Sequence, residues 1–509
     1  MSSPSLPTKA VRWKPGVRIA VLGLVTIIGV QCYEEWPFQK RNLISYEVGL
    51  AVGAALVIWW LFLSRVRMAA RLGVMGAVFL TGVVFGALVK IGGVTGDLVP
   101  ILKWRWSQGM KAAPAGQVSA NSKVPRADFP QFYGAERNGV LAGPRLASDW
   151  KLHPPQMVWR HAIGAGWSGF AVVGQVCVTQ EQNGEKECVT AYDLNTGRQI
   201  WTHEDEAHYN TTIGGEGPHA TPTIAQGRVF TLGATGILNC LELADGRPVW
   251  NRNVVQAVEG KTPGWGMACS PLMVDDLVIV HGGEGGTHSL VALRSRDGEV
   301  VWKAGRKPSY ATPIYAKLAG VPQVLAFHDG SVAGHDVKTG AELWQRPWGN
   351  GNVVCASPIV IGEDEALFSS GYGVGAELLK ISRQESGLKV ESLWHSTKMK
   401  AKFAHLFARE GCVFGLDDGM FACVDLKDGS KQWREGRHGH GQGLVVGEHY
   451  LLMAETGELV LLRPTRAAPN EQGRFQVFNS KTWNPIALVG DLLLVRNDRE
   501  AACLRLAVE

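Results

Sequence analysis

The sequence predicts an all-β propeller, preceded by an N-terminal bundle of about three transmembrane helices. Two observations predict the propeller: a recurring turn motif in units whose starts are 42 to 49 residues apart, and short β-branched runs separated by turns within each repeat. Three apolar stretches before residue 95, of which the first is short, predict the helices. The repeats indicate eight four-stranded blades, with seven as the alternative.

The clearest repeated unit is a turn in which a Gly is followed four residues later by a Trp. A hairpin turn with a positive φ explains the Gly, and the even spacing places every Trp on the same face of its strand. We therefore expect these Trp residues to pack blade against blade. The pairs are Gly197 and Trp201, Gly246 and Trp250, Gly298 and Trp302, Gly340 and Trp344, and Gly429 and Trp433.

A second signal, a small residue and then Ser or Thr before Pro, marks the start of several units. The starts at Pro222, Pro271, Pro313 and Pro358 are 49, 42 and 45 residues apart. Such a period with about four short strands is typical of propeller blades and not of a helical solenoid. Eight starts can be counted, near Ser168, Ala220, Ser270, Thr312, Ser357, His405, Gly443 and Pro485.

Two units depart from the motif, and the last unit is incomplete. In the fifth unit Trp394 lies seven residues after Gly387, and the seventh unit has no such Trp. The eighth unit ends after three predicted strands, whereas Gln156–Ala162 resembles an outer strand that lies ahead of the first blade. We expect this segment to complete the eighth blade, which closes the ring and removes exposed sheet edges.

The membrane region is predicted at residues 17–94, with spans at about 17–33, 44–64 and 69–94. The first span is short enough to be the apolar core of a signal peptide instead. Positive charges concentrate before the first span and between the second and third, which places residues 1–16 in the cytoplasm. Residues 95–127 then read as a linker, and residues 128–509 as a propeller on the periplasmic side of the inner membrane.

Charge is unevenly distributed along the chain. Residues 1–111 hold 13 Lys and Arg against 4 Asp and Glu, whereas the remainder holds 38 against 42. The basic excess therefore belongs to the membrane region, and the propeller is slightly acidic. This balance gives no support to a nucleic-acid partner.

The turn–Gly–Trp unit and the starts before Pro resemble the repeat of PQQ-type propellers, which include quinoprotein alcohol dehydrogenases and BamB-like assembly propellers. The segment Asp128–Val140 resembles the lead-in of such proteins. The resemblance implies the fold more strongly than an activity. It also implies PQQ and calcium as potential cofactors, yet the sequence lacks the adjacent Cys pair and the C-x-x-C-H haem motif of many quinoprotein dehydrogenases.

Polar, Gly-rich loops precede several blade starts, and in a propeller such loops converge at one mouth of the central channel. Aromatic side chains and convergent polar groups there would bind a planar polar ligand, although packing of the blades alone also explains such loops. The oxygens of Glu216 and Asn352 could ligate calcium, and the pair His438 and His440 could ligate a metal. The predicted ligand-binding residues are Trp167, Glu216, His219, Trp265, Asn352, His438, His440 and Gln442.

Two cysteine pairs flank predicted hairpin turns, which an oxidising compartment could convert to disulfides. Placing Leu416 opposite Gly419 makes Cys412 and Cys423 direct neighbours across one hairpin. Cys177 and Cys188 bracket the corresponding hairpin of the first blade. The alternative is that all four are small buried apolar residues.

These observations favour a non-catalytic, membrane-anchored periplasmic propeller that binds a protein or a small ligand on its funnel face. The alternative is a PQQ- and calcium-dependent alcohol or sugar dehydrogenase that passes electrons to the membrane. No catalytic residue is assigned, because the marks of the dehydrogenases are mostly absent.

Overall fold

The structure is a computed structural model that describes residues 11–33, 35–106, 126–305, 307–349 and 351–509. The chain divides into two compact units, Met1–Gly109 and Met110–Glu509.

The first unit contains three helices, each long and apolar enough to cross a membrane. Helix α1 (Trp13–Cys32) packs on α2 (Phe38–Ile58), which continues into a π-helical turn (Trp59–Leu63), and α3 (Met68–Leu88) follows. The close approach of α1 to the π-helical turn requires a glycine at position 16, since a Cβ at Gly16 would lie 2.7 Å from the Trp59 ring. Small residues permit such contacts between apolar helices.

The third helix is shorter than predicted. It ends at Leu88, and Val89–Val94 forms a strand, β1, that pairs antiparallel with β2 (Pro100–Trp104). The predicted span to residue 94 is therefore wrong at its end, because β-branched Val89 adopts an extended backbone and two glycines follow it at 92 and 93. The hairpin also occupies the start of the predicted linker, whereas residues 107–125 lie outside the described part of the chain.

The second unit is a ring of eight blades, which confirms the propeller and the count of eight. Two strands precede the ring in sequence: β3 (Val140–Leu141) and β4 (Gln156–Ala162). Strand β4 is the fourth strand of blade 8, where it pairs antiparallel with the last strand of the chain. The ring is thus closed by a segment from before the first blade, as the sequence predicted.

Blades 1 to 4 are four-stranded antiparallel sheets in sequential order. A short hairpin and a short helix follow the first and the second blade. Blade 1 contains β5 (Ala171–Val173), β6 (Val176–Asn183), β7 (Lys186–Asp193) and β8 (Gln199–Asp205), followed by the hairpin β9 (Asn210–Thr211) and β10 (Gly215–Glu216); blade 2 contains β11 (Thr223–Ala225), β12 (Arg228–Leu232), β13 (Ile237–Glu242) and β14 (Pro248–Asn253), followed by α4 (Val254–Ala257); blade 3 contains β15 (Leu272–Val274), β16 (Leu277–His281), β17 (Leu290–Arg294) and β18 (Val300–Ala304); blade 4 contains β19 (Ile314–Leu318), β20 (Val321–His328), β21 (Ser331–Asp336) and β22 (Glu342–Pro347).

Blades 5 to 8 repeat this order, and β3 adds a fifth strand to blade 7, parallel to its innermost strand. Blade 5 contains β23 (Ile359–Ile361), β24 (Glu365–Ser370), β25 (Gly375–Gln384) and β26 (Gly387–Ser396); blade 6 contains β27 (Phe407–Arg409), β28 (Cys412–Asp417), β29 (Met420–Asp425) and β30 (Lys431–Arg437); blade 7 contains β31 (Gln442–Val446), β32 (His449–Met453), β33 (Glu458–Leu462) and β34 (Glu471–Gln476); blade 8 contains β35 (Ala487–Val489), β36 (Leu492–Arg496) and β37 (Glu500–Arg505) with β4.

The repeated Trp and Gly residues interlock neighbouring blades. The Trp250 indole of blade 2 donates a 2.9 Å hydrogen bond to the Ser295 carbonyl in blade 3, and its ring lies against Gly298 in the turn of blade 3. Gly298 has a φ of +70°, and a Cβ there would lie 2.7 Å from the ring. The same pairing of a Trp with the Gly of the next blade joins Trp159 to Gly197, Trp201 to Gly246, Trp302 to Gly340, and Trp394 to Gly429.

The two degenerate units fit this scheme in different ways. Trp394 occupies the usual register position, opposite Leu378, because the hairpin of β25 and β26 is longer than in other blades. In blade 7 the position belongs to Gly473, opposite Leu461, and the side chain of Trp150 fills the space against this glycine. The missing Trp of the seventh unit is thus supplied from the segment that precedes β4.

Residues 128–141, which we call the lead-in plug, fill part of the central channel. Phe129 exchanges two backbone hydrogen bonds with Val172 on the innermost strand of blade 1. Arg137 donates to the carbonyls of Ser270 and Pro271 at the start of blade 3. Strand β3 then pairs with blade 7, so the plug ties three separated blades together.

The cysteine hairpins differ in register from the prediction. Cys412 lies opposite Asp425, and Cys423 lies opposite Phe414, because Asp417 and not Leu416 begins the turn. The two thiols are therefore diagonal neighbours, and both are free in the structure. A disulfide between them stays a prediction.

The first-blade pair is further apart. Cys177 lies opposite Tyr192 and Cys188 opposite Glu181, which separates the two cysteines by four residues along the ladder, or about 13 Å. A disulfide cannot span that distance, so the predicted Cys177–Cys188 bridge is wrong in this register.

The interlock predicts that alanine substitutions at two glycines with similar positive φ values lower the free energy of unfolding by different amounts. Gly298→Ala places a methyl group against the Trp250 ring, whereas Gly227 has a φ of +74° and open space around its Cβ position. We expect Gly227→Ala to lower the free energy of unfolding by about 1 kcal/mol and Gly298→Ala by roughly 2–4 kcal/mol. Chemical denaturation of the full-length protein in detergent measures both, and equal losses would show that the Trp contact adds nothing.

Candidate functional site

The mouth of the channel is surrounded by the loops that precede the innermost strands of the blades. At the other end, a cavity of about 1130 Å³ lies between the lead-in plug and the innermost strands of blades 3 to 6. The predicted ligand-binding residues divide between two sides of the mouth, one at blades 7, 8, 1 and 2, and one at blades 3, 4 and 5.

On the first side, two indoles form a notch around a lysine. The rings of Trp167 and Trp483 have centroids 5.1 Å apart and planes at 46°. The Nζ atom of Lys481 lies 3.8 Å from the Trp483 centroid and 4.5 Å from the Trp167 centroid, within the range of cation–π attraction. Burial lowers the pKa of Lys481 to about 8. We call the space between the two indoles, which the Lys481 side chain occupies, the tryptophan notch.

Hydrogen bonds orient the notch. The indole of Trp167 donates to the Gly214 carbonyl at 2.7 Å, and the indole of Trp483 donates to Oε1 of Glu455 at 2.9 Å. The other carboxylate oxygen of Glu455 accepts the backbone N–H of His440 at 3.1 Å. Glu455 is buried, so both indoles are held by groups that cannot move freely.

The aromatic surface continues beyond the notch through Phe403. Its ring centroid lies 5.3 Å from that of Trp483 and 5.7 Å from that of His440. Gln442 is buried behind this surface, where its side chain accepts from the Tyr133 hydroxyl and donates to the Phe403 carbonyl. Gln442 therefore connects the lead-in plug to the mouth and is not itself available to a ligand.

The structure places His219 near the notch and Glu216 on the exposed hairpin beside it. Burial and the charge of Lys481 lower the pKa of His219 to about 4. Oε1 of Glu216 lies 3.6 Å from Nε2 of His208. His438 is buried, with a pKa lowered to about 4 by burial, and its backbone pairs with Gly419 and Glu455.

On the second side, Trp265 and Asn352 border a smaller cavity. The Trp265 ring centroid lies 5.3 Å from that of Tyr310, whose hydroxyl accepts the Trp265 backbone N–H. Tyr310 and Asn352 line a cavity of about 360 Å³ together with Glu284 and His328.

A buried chain of hydrogen bonds leads from this cavity into the seam between blades 3 and 4. Nδ1 of His335 donates to the Gly340 carbonyl, so its Nε2 accepts from Nε2 of His328 at 2.9 Å. Nδ1 of His328 then accepts from the Ser289 hydroxyl at 2.8 Å. This direction of donation requires both imidazoles to be neutral. Burial lowers the pKa of both, to about 3 for His328.

Two non-glycine residues with positive φ lie in the turns of blades 5 and 6 at the mouth. Tyr372 has a φ of 58° and Asp418 a φ of 46°. Asp418 is 1% exposed, and burial raises its pKa. Nζ of Lys402 lies 5.3 Å from the Tyr372 ring centroid, and Nζ of Lys400 lies 3.8 Å from Oδ2 of Asp418. Such strained turns persist only where the surrounding structure enforces them.

The predicted calcium ligands belong to different sides of the mouth. Glu216 precedes blade 2 and Asn352 precedes blade 5, so an ion bound to both would have to bridge three blades of the ring. Among the residues that the structure describes, no group of three or more His, Cys, Asp or Glu side chains could hold a metal ion. Calcium at Glu216 and Asn352 and a metal at His438 and His440 therefore stay predictions.

Several residues of the mouth were missed at the level of sequence. Lys481 and Trp483 lie immediately before the start of the eighth blade at Pro485, so the rule that loops before blade starts form the mouth would have included them. Their loop is not rich in glycine, so the Gly-rich pattern alone does not select it. Glu455 and Asp418 carry no such signal, since both lie in turns between the middle strands of a blade.

Residues 185–435, just under half of the chain, match the family described as outer membrane protein assembly factor BamB. The chain carries a PQQ-like, BamB-like β-propeller. A BamB from Burkholderia pseudomallei is 27% identical over 203 residues, which are 38% of this chain and 46% of that relative. The match thus spans about half the length of that curated relative.

Two solved structures share the propeller fold. The BamB of Moraxella catarrhalis is superposable on 69% of this chain and 99% of its own, with a TM-score of 0.50 and 16% identity. A quinohemoprotein alcohol dehydrogenase of Pseudomonas putida HK5 covers 77% of this chain and 83% of its own, with a TM-score of 0.55 and 10% identity. At these identities the likeness concerns the fold alone.

The neutral, buried histidines predict a loss of stability in acid. Burial lowers the pKa of His281 and His405 to about 4, and that of His328 further, below the value of about 6.5 in the unfolded chain. Between about pH 6.5 and 4 the unfolded state binds more protons than the folded state, so stability falls as the pH falls through this window. We expect a loss of about 1–2 kcal/mol for each such histidine at pH 5 relative to pH 7.

Denaturation of the full-length protein at both pH values measures this slope. His328→Gln should reduce the difference between pH 7 and pH 5, whereas His153→Gln, at an exposed position, should leave it unchanged. An equal slope in all three proteins would contradict the assignment of His328 as neutral and buried.

Proposed function

We propose that this protein is a membrane-anchored periplasmic propeller that binds a segment of a partner protein at its mouth. The observation that carries the proposal is the pair of half-buried rings Trp483 and Phe403, backed by the buried Trp167 and Glu455 and bordered by Lys481. Trp side chains with polar neighbours on a rigid rim are typical of the residues that dominate protein–protein binding. The BamB relative is described as an outer membrane protein assembly factor, which agrees with a partner that is a protein.

The proposed location rests on the first unit. Three apolar helices would anchor the chain in the inner membrane, and the positive charges before α1 and between α2 and α3 favour a cytoplasmic N-terminus. An odd number of crossings then carries the propeller to the periplasm. A tethered propeller would meet its partner close to the membrane surface, where the tether raises the effective concentration of the domain.

The alternative, a quinoprotein dehydrogenase, receives less support from the side chains of the mouth. PQQ is a planar tricarboxylate, and a site for it needs several cations beside an aromatic ring. The tryptophan notch offers one lysine, and its neighbours include the carboxyl groups of Glu455, Asp498 and Glu216. This donor set does not fit a tricarboxylate.

Site-specific photo-cross-linking in living cells tests the proposal. A benzoylphenylalanine at position 483 should yield a discrete protein adduct that mass spectrometry identifies. The same amino acid at position 385, in the exposed turn between β25 and β26, should not yield that adduct. The native residues at these positions are Trp483 and Glu385.

Two results would overturn the binding role. One is the absence of any adduct at position 483 under conditions where the probe reacts with added peptide. The other is tight binding of PQQ by the purified protein with dye reduction on alcohols or aldoses, which would establish the dehydrogenase instead.

A further inference from the structure

The tryptophan notch already contains a cation, and it is the chain's own. The Lys481 ammonium lies against two indole faces whose planes open at 46°, so that both rings attract the same charge. Burial makes this charge costly, as the lowered pKa of Lys481 shows. Three features around the notch indicate the charge and hydrogen-bonding character of the group that it would bind.

The first feature is the excess of negative charge near the notch. The carboxylates of Glu455 and Asp498 stabilise the charged form of Lys481. The carboxylate of Glu216 in turn disfavours the charged form of Asp498. Arg496, whose side chain is fully buried, is a second cation that stabilises the charged form of Asp498. Its guanidinium donates to the Thr179 hydroxyl and to the carbonyls at positions 180 and 164, so it is engaged with the interior.

The second feature is a set of acceptors with unused capacity. Nε2 of His219 and Oδ1 of Asp498 are both buried, and neither has a hydrogen-bond partner among the described residues. The lowered pKa keeps His219 neutral above about pH 4, and its ring also bonds to the Gly214 backbone. Buried polar atoms without partners are costly, so these two favour a guest that donates hydrogen bonds.

The third feature is the fixed geometry of the aromatic faces. Trp167 and Trp483 are each held by an indole hydrogen bond, to the Gly214 carbonyl and to Glu455. Two indoles and nearby carboxylates form the kind of cage that proteins use for ammonium groups. An anionic guest would face the rings, the carboxylates and the acceptors with a single lysine in its favour.

We propose that the tryptophan notch is a cation-binding cage which Lys481 fills in the free protein, and that a lysine or arginine side chain of the partner exchanges with it. This inference rests on the proposed function, because it names the side chain that the mouth would recognise. Lys481 then acts as an internal surrogate ligand. When a partner binds, the Lys481 side chain moves out into solvent, and the unused acceptors gain the donors of the guest.

Chemical rescue tests the cage without knowledge of the partner. Lys481→Ala removes the surrogate, and n-propylammonium chloride supplies a free cation of similar size. We expect about 50 mM of this salt to raise the melting temperature of full-length Lys481→Ala in detergent by about 1–3 °C relative to sodium chloride at the same concentration. The wild-type protein, whose notch is filled, should shift by less than about 0.5 °C under the same linkage.

Lys307→Ala is the matched control. Lys307 is also a lysine of the mouth, paired with Asp329 at 3.2 Å, but its side chain is 70% exposed and lies over neither indole of the notch. This variant should show no specific rescue, and neither n-propanol nor sodium propanesulfonate should stabilise Lys481→Ala. If Lys481→Ala does not fold, Lys481→Met keeps the stem, and methylammonium chloride replaces the longer cation.

Equal melting temperatures in the ammonium and sodium salts would overturn the cage. Stabilisation of the wild-type protein by propanesulfonate would also overturn it, by showing that Lys481 recruits anions. Both outcomes are distinct from failure of the proposed function. Rescue by ammonium without a cross-linked partner at position 483 would leave the cage and remove the protein-binding role, whereas a cross-linked partner without rescue would do the reverse.

Discussion

At five of the eight seams between the described blades, a tryptophan of one blade lies on a glycine of the next. The indole donates to a carbonyl at the turn of the next blade, and the glycine of that turn, with a positive φ, leaves room for the ring. The glycine thus adopts the positive φ that the turn requires and also leaves room for the indole of the neighbouring blade. The contact includes the closing pair of Trp159 and Gly197, whereas the indole of Trp344 in blade 4 donates to Gln323 of its own blade. The rigidity of the mouth follows from this chain of contacts.

The interlock also explains why the ring needs segments that precede it. Strand β4 brings Trp159 to the last blade, and the same stretch of chain brings Trp150 to Gly473, where blade 7 lacks its own tryptophan. The lead-in plug then bonds to the innermost strands of blades 1 and 7, whose inner edges would otherwise be unpaired in the channel. These contacts occupy the channel from one end. The mouth at the other end is formed by the loops that precede the innermost strands.

How far the sequence could predict this structure depended on whether a feature was periodic. The blades, their number and the closing strand follow from repeated glycines, tryptophans and prolines, and all of these predictions are confirmed. The register of the cysteine hairpin was wrong by one turn position, because LDDG permits a turn at either Leu416 or Asp417 and no periodic residue decides between them. Part of the mouth could not be predicted for the same reason. Glu455 and Asp418 are set there by the ring and not by any local pattern.

Two residues at the mouth have strained backbone conformations that the surrounding blades hold in place. Tyr372 and Asp418 have backbone conformations that cost of order 1–3 kcal/mol each in residues other than glycine. Other turns of the propeller also hold non-glycine residues at positive φ, among them Ala319 and Glu410, but Tyr372 and Asp418 are the two that contact lysines of the mouth among the turns described above. Tyr372 presents its ring to Lys402, and Asp418 adds a buried carboxyl group beside Lys400. The packed blades around these two turns enforce their conformations, and the turns in turn place an aromatic ring and a buried carboxyl group at the mouth.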